Sequence, residues 1–575
     1  MAKRTGPVHV VTTTREHKGK TYHSYLLCRS YREGSHVRKE TVGNLSHLPL
    51  PIIDLIRRAL REETLIPVDQ FEVVRSVAHG DVHAVLITID RLGLERVLST
   101  RRCPEAAVVT ALIAARVIAP HTKLATTRWW HTRTLADDFG LQAVSEDDVY
   151  AAMDWLLDRQ DAIERTLAGG HLAQGGLVLY DVSSSYFEGT KCPLAKRGYN
   201  RDGKRDKLQV NYGLVTNGAG CPVAVSVFEG NVADTTTLVP QVQRLRERFG
   251  IRDVVIVGDR GMIAQTSIDT LKTVDGVAWI TALKSAQIRT LLTGGALQLG
   301  LFDDRNLVEL THPDYPGERL MACRNPELGT LRAHKRQDLL AATTAALEKI
   351  QRRVAGGRLR GRAEIGLRVG RVINQYKVAK HFRVTITDAT FTFAIRTDRV
   401  ATEAALDGIY VIRTNVTAAK LSAADAVRHY KALSQVERAF RSLKTIDLHV
   451  RPIHHRLADR VRSHIFLCML AYYVEWHMRE AWRPLLFADE DQRAKARRDP
   501  VAPARRSAAA EEKAVTHRLA DGTMVHSFRT LLQDLSTIVR NACRVRGHED
   551  APTFTVTTTP SPEQRRAFAL LKRIA

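Results

Sequence analysis

Two aspartates each stand at the carboxyl end of an apolar run. Asp181 follows LVLY in LVLYDVSSS (177–185), and Asp259 follows a β-branched run in DVVIVGDRGM (253–262). Functional sites form at the carboxyl ends of strands in α/β sheets, so we expect the two acids to meet there. Two such carboxylates repel unless a divalent cation neutralises them, and Mg²⁺ prefers one or two carboxylates with phosphate oxygens and water. The pattern therefore requires a third acid and a phosphate substrate.

The segment AADAVRHYKALSQVERAFRSLKTIDLH (423–449) offers that third acid, Glu437. Its apolar residues recur every three to four positions, which predicts a half-buried helix. Seven residues return a helix to nearly the same face, so Tyr430, Glu437 and Lys444 line one ridge, with Arg441 one turn beyond Glu437. A carboxylate between a phenol and two cations is well placed to meet Mg²⁺ and phosphates. A solvated ridge with a Glu437–Arg441 ion pair accounts for the same spacing equally well.

The overall charge points to a polyanionic partner. The chain of 575 residues carries 86 Lys and Arg against 62 Asp and Glu, a formal charge of +24. Such a surplus favours DNA or RNA through counterion release, although an arginine-rich genome also produces it. The seven cysteines are scattered without a CxxC or Cys/His cluster, which predicts a reducing compartment and argues against structural zinc.

Neither the N-terminus nor the longest apolar stretch late in the chain predicts a membrane segment. The N-terminus, MAKRTGPVHV, has no apolar core of a signal peptide. The late apolar stretch IFLCMLAYYVEW is much shorter than the roughly 20 residues of a membrane span, and we predict a buried helix there. We therefore expect a cytoplasmic protein without membrane contact.

The elements that position the acids follow from periodicity. Alternating bursts over residues 8–45 predict a small antiparallel sheet, and helical spacing at 104–118 and 146–168 predicts a helical module, which we expect to bind DNA although protein contacts explain it nearly as well. A strand at 177–184, a hairpin across NGAG, and then alternating helix and strand to residue 283 predict a mixed α/β sheet. Residues 285–400 break this rhythm and read as an insertion, whose arginine- and glycine-rich run (352–371) predicts either a backbone contact or a solvated loop.

The sequence predicts six regions, in which an insertion divides the catalytic core into two parts. In chain order they are a β-rich basic region (1–70), a helical, DNA-binding region (71–172), the first part of the catalytic core (173–284), the insertion (285–400), the second part of the core (401–485), and a linker with the C-terminal region (486–575).

Three motifs in this order resemble the DDE transposases of bacterial insertion sequences, in the large branch with a Tyr-x2-Arg-x3-Glu-x6-Lys signature. YKALSQVERAFRSLK matches that signature at Tyr430, Glu437 and Lys444, and Leu433 stands where the family has arginine. LYDVSSSYFEG and VIVGDRGM match the first two acid motifs at Asp181 and Asp259, and the basic loop RGYNRDGKRD before the next strand is also similar.

This resemblance implies an RNase H-like core interrupted by a β-rich insertion. It implies that Asp181, Asp259 and Glu437 bind two divalent ions, Mg²⁺ with Mn²⁺ as a substitute, for strand cleavage and strand transfer. Tyr430 and Lys444 would hold the DNA backbone, with Arg441 or Arg438 standing in for the missing arginine. The implied partners are double-stranded DNA, as terminal inverted repeats and target, and a second copy of the chain in a synaptic homodimer. The implied location is the bacterial cytoplasm, on the nucleoid.

Two other functions remain compatible with the sequence. An RNase H-like nuclease that cuts without joining would have the same acids. A non-catalytic or domesticated DNA-binding protein would keep the fold and the charge. The insertion holds no tryptophan, so a route through DNA hairpins is not predicted.

Overall fold

The computed structural model describes residues 6–34, 36–63, 71–204, 206–298, 300, 302–303, 305–503, 505–546 and 553–575. They fall into two compact units, one made of Met1–Val77 with Arg540–Thr558 and the other of Ala78–Val539 with Thr559–Ala575. The strands, in chain order, are β1 (Val8–His17), β2 (Lys20–Glu33), β3 (His36–Asn44), β4 (Phe71–Ala78), β5 (Gly176–Phe187), β6 (Leu208–Asn217), β7 (Pro222–Glu229), β8 (Val254–Val257), β9 (Val277–Ala282), β10 (Leu307–Leu310), β11 (Arg319–Arg324), β12 (Phe382–Ile386), β13 (Phe391–Ile395), β14 (Ile409–Thr414), β15 (Val539–Val545) and β16 (Phe554–Thr557).

The α-helices, in chain order, are α1 (Leu50–Ala59), α2 (Gly80–Arg91), α3 (Leu94–Leu98), α4 (Pro104–Ile118), α5 (Lys123–Trp129), α6 (Leu135–Phe139), α7 (Glu146–Asp158), α8 (Gln160–His171), α9 (Leu238–Glu247), α10 (Gln265–Leu271), α11 (Ser285–Thr293), α12 (Pro326–Ala355), α13 (Arg362–Tyr376), α14 (Thr397–Ala404), α15 (Ala423–Lys431), α16 (Leu433–Arg441), α17 (Ala458–Ala481), α18 (Gln492–Arg497), α19 (Ala508–Thr516), α20 (Phe528–Leu535) and α21 (Pro562–Leu571).

The smaller unit contains two three-stranded sheets. Strands β1, β2 and β3 form the predicted antiparallel meander, which is confirmed. Lys18 and Gly19 both have positive φ between β1 and β2, as a tight two-residue hairpin turn requires. The second sheet has the order β16–β15–β4, so the strand at 71–78 pairs with one that lies more than 450 residues later in the chain.

The larger unit is built on an eight-stranded mixed sheet in the order β10–β11–β14–β9–β8–β5–β6–β7. Strands β5, β6 and β7 are an antiparallel meander, and β8 and β9 run parallel to β5. This arrangement, with the meander on one side of β5 and two parallel strands on the other, is the core of an RNase H-like fold. The predicted mixed sheet is confirmed.

Helices cover this sheet and bury its apolar residues. The central one is α17, which packs against α4, α7 and β7 and is buried along most of its length, as predicted for IFLCMLAYYVEW. The helix predicted at 146–168 begins after its N-cap Ser145, whose side chain forms a capping box with Asp148, but it is divided at Arg159 into α7 and α8. In the described residues no single helix is long and apolar enough to cross a membrane. Only α4 joined to Lys123–Thr132 across a 90° bend reaches that length and composition.

The segment 285–400 differs from the β-rich insertion that the resemblance implies. Its two longest described elements are helices, α12 of 30 residues and α13 of 15 residues, and they pack with the β12–β13 hairpin around a small core of their own. The arginine- and glycine-rich run is helical from Arg362, because Ile365 and Val369 lie one turn apart and face α12. Strands β10 and β11 extend the main sheet instead of forming a separate domain.

Candidate active site

Asp181 and Asp259 lie side by side because of the register of two parallel strands. The last pair between β5 and β8 joins Leu179 to Val257, and each aspartate follows two residues later on its own chain. Asp181 shares the face of Leu179 on β5, and Asp259 lies two residues past the end of β8, near enough for its charge to act on Asp181. Asp181 lies inside β5, as it does in the strand predicted at 177–184. The strand continues to Phe187 because its antiparallel partner β6 is longer than β8.

Glu437 is brought to the same face by α16, which packs against β5. The ring of Phe440 meets that of Tyr212 on β6 edge to face, with centroids 5.7 Å apart, which fixes the helix on the sheet. The exposed Glu437 carboxylate lies close enough to interact electrostatically with Asp181. The structure therefore brings the three predicted acids together.

The electrostatics of the site suit a cation. The pKa of Asp181 is raised to about 7, first by burial and then by the negative charges of Asp259 and Glu437. Two effects smaller than that of burial act in the opposite direction and lower the pKa of Asp181. They are a hydrogen bond from the backbone N–H of Val182 to Asp181 Oδ1, at 2.8 Å, and the positive charge of Arg201. The charge of Asp181 is thus destabilised by its two carboxylate neighbours, and together the three acids form a hard, oxygen-only donor set that fits Mg²⁺ or Mn²⁺.

The helix predicted over 423–449 is interrupted twice. It breaks at Ala432, between α15 and α16, and it widens into a π-helical turn at Ser442–Ile446. A π turn advances the chain by more than 3.6 residues, so the ridge predicted from a seven-residue spacing is not continuous to Lys444. Buried polar groups support the turn: the Ser442 hydroxyl lies 2.9 Å from Asp447 Oδ2 and 2.8 Å from Glu475 Oε1, and Arg479 pairs with both acids.

Tyr430 reaches the acids from α15. Its hydroxyl donates to Asp259 Oδ1 at 3.5 Å, a long hydrogen bond. Burial, followed by the charge of Asp259, raises the pKa of the phenol, which therefore stays protonated. Tyr430 is thus a neighbour of the second acid as well as a predicted DNA contact.

Lys444 lies at the other side of the site and holds an internal ion pair. Its ammonium is 2.7 Å from Asp202 Oδ1 and donates to Ser183 Oγ on β5 at 3.1 Å. Asp202 also pairs with Arg451 and accepts from the backbone N–H of Tyr186 at 3.0 Å. Lys444 is therefore tied to the strand that carries Asp181.

An open cleft of about 370 Å³ adjoins this ion pair and is lined by several basic side chains. Lys204, Lys444 and Arg451 border it, together with Tyr186 and His449. Two residues of the neighbourhood, Arg201 and Asp202, were not identified as site residues from the sequence. Their only signal was their position in the loop RGYNRDGKRD.

Arg441 and the remaining signature position, Leu433, both lie on α16. Arg441 is exposed, and among the described contacts none joins it to the three acids. Leu433, in place of the family's arginine, is partly buried and packs against the main core. This position therefore contributes packing instead of charge.

Comparisons with known proteins match two families to parts of this chain. Residues 173–474 match the family described as "Transposase DDE domain", and residues 10–66 match the family described as "IS1634 family transposase, N-terminal domain". No curated protein sequence matches the chain. Among solved structures, a piggyBac transposase synaptic complex with hairpin DNA matches at 8% identity with a TM-score of 0.34, over 79% of this chain and 76% of that one.

Proposed function

Since the chain belongs to the family of transposases with a DDE domain, we propose that Asp181, Asp259 and Glu437 are the catalytic acids with which it cuts and rejoins DNA. The protein is an insertion-sequence transposase, an enzyme that cleaves and transfers DNA and depends on a divalent metal. The observation that carries the assignment of the acids is the register of β5 and β8, which sets the two aspartates level under the helix of Glu437.

We assign Mg²⁺ to these three carboxylates, with Mn²⁺ as a substitute, because both ions prefer oxygen ligands. Bound there, divalent ions supply Lewis-acid stabilisation of the attacking and leaving oxygens of an in-line phosphoryl transfer. The residues of the chain supply position. Two of the acids are fixed by paired strands and the third by a packed helix, so little reorganisation is needed during the reaction.

The basic cleft beside Lys444 is proposed as the place of a DNA backbone phosphate. Lys204, Lys444 and Arg451 present three cations there against one buried carboxylate, Asp202. An incoming phosphate adds the negative charge that this set lacks. Tyr430, held near Asp259, is proposed to contact the backbone on the opposite side of the acids, and Arg441 to contact DNA from the exposed face of α16.

The DNA partner is proposed to be the paired inverted repeats at the ends of the element, followed by target DNA. The formal charge of +24 supplies non-specific affinity for the backbone. The helical region between residues 71 and 172 is proposed to contribute to recognition of the ends. Because two ends must be cut and joined together, we propose that the active assembly is a homodimer with one end bound to each protomer.

The test is a cleavage and transfer reaction on the DNA that flanks the coding sequence. With Mg²⁺, the protein is expected to nick at the element ends and to join those ends to a target plasmid. Asp181→Asn and Asp259→Asn should each reduce both steps by at least about a thousandfold, because several kcal/mol of transition-state stabilisation are lost. DNA affinity should remain, and the exposed Asp269→Asn on α10 is the matched control.

The other two candidate functions give different results in the same reaction. Cleavage without joined products identifies a nuclease. Binding without cleavage identifies a DNA-binding protein, and full activity of Asp181→Asn or Asp259→Asn refutes the assignment of the acids.

A further inference from the structure

A cluster of two histidines and a cysteine lies at the turn between β6 and β7. We propose that His171, Cys221 and His477 bind a zinc ion, with water in the fourth ligand position. Each residue offers a ligand atom, and these three atoms all lie within 4.8 Å of one another. The cluster shares no residue with the acids described above.

The distances agree with a shared ion. Cys221 Sγ lies 3.8 Å from His477 Nε2. In a tetrahedral site with Zn–S of about 2.3 Å and Zn–N of about 2.05 Å, the sulfur and nitrogen ligands are about 3.6 Å apart. The two atoms therefore need to move by only a few tenths of an ångström to bind one ion.

The three ligands come from three separate elements. His171 ends α8, Cys221 immediately precedes β7, and His477 lies on α17. They are separated by 50 and 256 residues, so no ligand motif exists in the sequence. The sequence contains no local Cys/His cluster, which by itself argues against zinc. In the folded chain, the packing of α8 and α17 on β7 brings such a cluster together.

Neighbouring side chains orient the two imidazoles. His171 Nε2 lies 2.9 Å from the hydroxyl of Tyr473, and the rings of Tyr473 and Trp476 pack against His477 with centroids 4.7 and 4.8 Å away. Such second contacts are of the kind that hold metal-binding histidines in place.

Cys221 would bind as a thiolate. Its side chain is fully buried, and the positive charge of a bound ion is what stabilises a thiolate there, since a coordinating metal deprotonates a thiol outright. Binding replaces the S–H bond with an S–Zn bond and releases one proton to solvent, without oxidation or reduction.

A metal at this position would brace the helix that carries Glu437. Gly220, next to Cys221, has φ of +87°, and a Cβ there would lie only 2.7 Å from Gln435 Cβ. Gln435 is two residues before Glu437 on α16. Fixing Cys221 to α8 and α17 therefore fixes the hairpin turn against the catalytic helix.

Cobalt substitution tests the site through its sulfur ligand. The full-length protein is freed of metal by chelation, returned to excess Mg²⁺ to fill carboxylate sites, and titrated with Co²⁺ and, separately, Zn²⁺. We expect one Co²⁺ per chain with thiolate-to-cobalt charge-transfer absorption, displaced by one equivalent of Zn²⁺. The carboxylate site contains no sulfur and cannot produce that band.

Variants assign the ligands. Cys221→Ala should abolish the band, whereas Cys468→Ala, which removes another buried thiol on α17, should leave it unchanged. His171→Ala and His477→Ala should each weaken metal binding by at least about tenfold. Loss of a residue that merely hydrogen-bonds a metal ligand already lowers metal affinity by about 10–100-fold, and loss of the ligand itself should cost at least as much. Circular dichroism establishes that each variant is folded, and Cys221→Ser offers a second variant of nearly the same size. Absence of the band in the wild-type protein, or its persistence in folded Cys221→Ser, overturns the proposal.

Discussion

The two ligand clusters of this protein differ in chemistry and in how the chain assembles them. The acid cluster consists of three carboxylates held by β5, the end of β8 and α16, and it offers hard oxygen ligands. The His171–Cys221–His477 cluster offers nitrogen and sulfur and is enclosed by α8, β7 and α17. Oxygen ligands suit Mg²⁺ and Mn²⁺, whereas imidazole and thiolate suit zinc. One sheet thus supports two ligand sets that do not compete for the same ion.

Their positions on the sheet are also different. Asp181 lies three residues beyond Val178, and Val178 pairs with Asn217 at the β6–β7 turn, where Cys221 is found. At about 3.3 Å per residue, the turn lies about 10 Å back along β5 from Asp181. The proposed catalytic acids and the proposed zinc site therefore occupy separate positions along β5 and its partner strand.

The largest effect that separates the two clusters is expected from Glu437→Gln. This change removes one charged oxygen from the acid cluster and keeps the size of the side chain. DNA cleavage should fall by at least about a thousandfold, because several kcal/mol of transition-state stabilisation are lost. The cobalt–thiolate band should not change.

Glu247→Gln, at an exposed position on α9, is the matched control and should retain cleavage. A loss of the thiolate band in Glu437→Gln would mean that the two clusters are one coupled site. Unchanged cleavage would remove Glu437 from the catalytic acids.

A smaller effect is expected from Lys444→Ala, which tests whether the acid cluster extends into the basic cleft. Removing the ammonium leaves Asp202 with Arg451 alone and empties one side of the cleft. Cleavage should fall about 10–100-fold, the usual effect of a misplaced reacting group. The slope of log binding constant against log salt should also become less steep by about one, because one phosphate contact is lost.

The exposed Lys420→Ala is the control for charge. If Lys444→Ala lowers only the melting temperature and leaves the salt slope unchanged, Lys444 is a structural partner of Asp202 and not a DNA contact.

The acid cluster could be predicted from the sequence because each of its acids lies in a recognisable local pattern. Asp181 and Asp259 interrupt apolar strands, and Glu437 lies on an amphipathic helix, so each acid is conspicuous by itself. The sequence did not predict that β5 continues to Phe187, because that depends on the length of its partner β6. Nor did it predict α13, where Gly366 and Gly370 concealed a helical repeat of apolar residues.

The His171–Cys221–His477 cluster could not be predicted from such local patterns. His171 and His477 resemble ordinary half-buried histidines when each is considered alone, and Cys221 follows a turn. Only the packing of α8 and α17 across β7 makes them neighbours. Residues this far apart in the chain form no motif of fixed spacing, so their contact could not be predicted from the sequence.

The connection between the two clusters can be tested at the hairpin turn with Gly220→Ala. The new Cβ meets both an unfavourable left-handed backbone and the side chain of Gln435, so the protein should lose about 2–4 kcal/mol of unfolding free energy. Gly175→Ala is the matched control, because Gly175 has φ of +69° and nothing within 4 Å of the added atom. It should cost only the backbone term, about 1–2 kcal/mol.

Denaturant unfolding measures this difference, and cleavage at a temperature where both variants are folded shows its consequence. If the turn braces α16, Gly220→Ala should cleave more slowly than Gly175→Ala. Equal cleavage by the two variants would mean that the turn and the catalytic helix are independent.

The smallest effect is expected at Leu433, the position where the acid cluster departs from its family. Leu433→Arg replaces a partly buried side chain at the start of α16, which should cost about 1 kcal/mol of stability through lost apolar contact. If this position faces DNA, the arginine should add one phosphate contact and make the salt slope of binding steeper by about 0.9. Ser434→Arg adds the same charge at the next, exposed residue, about 100° around the helix. A steeper slope for Leu433→Arg alone places the helix face of Leu433 against the DNA backbone, and equal slopes for the two variants would show that only the total charge matters there.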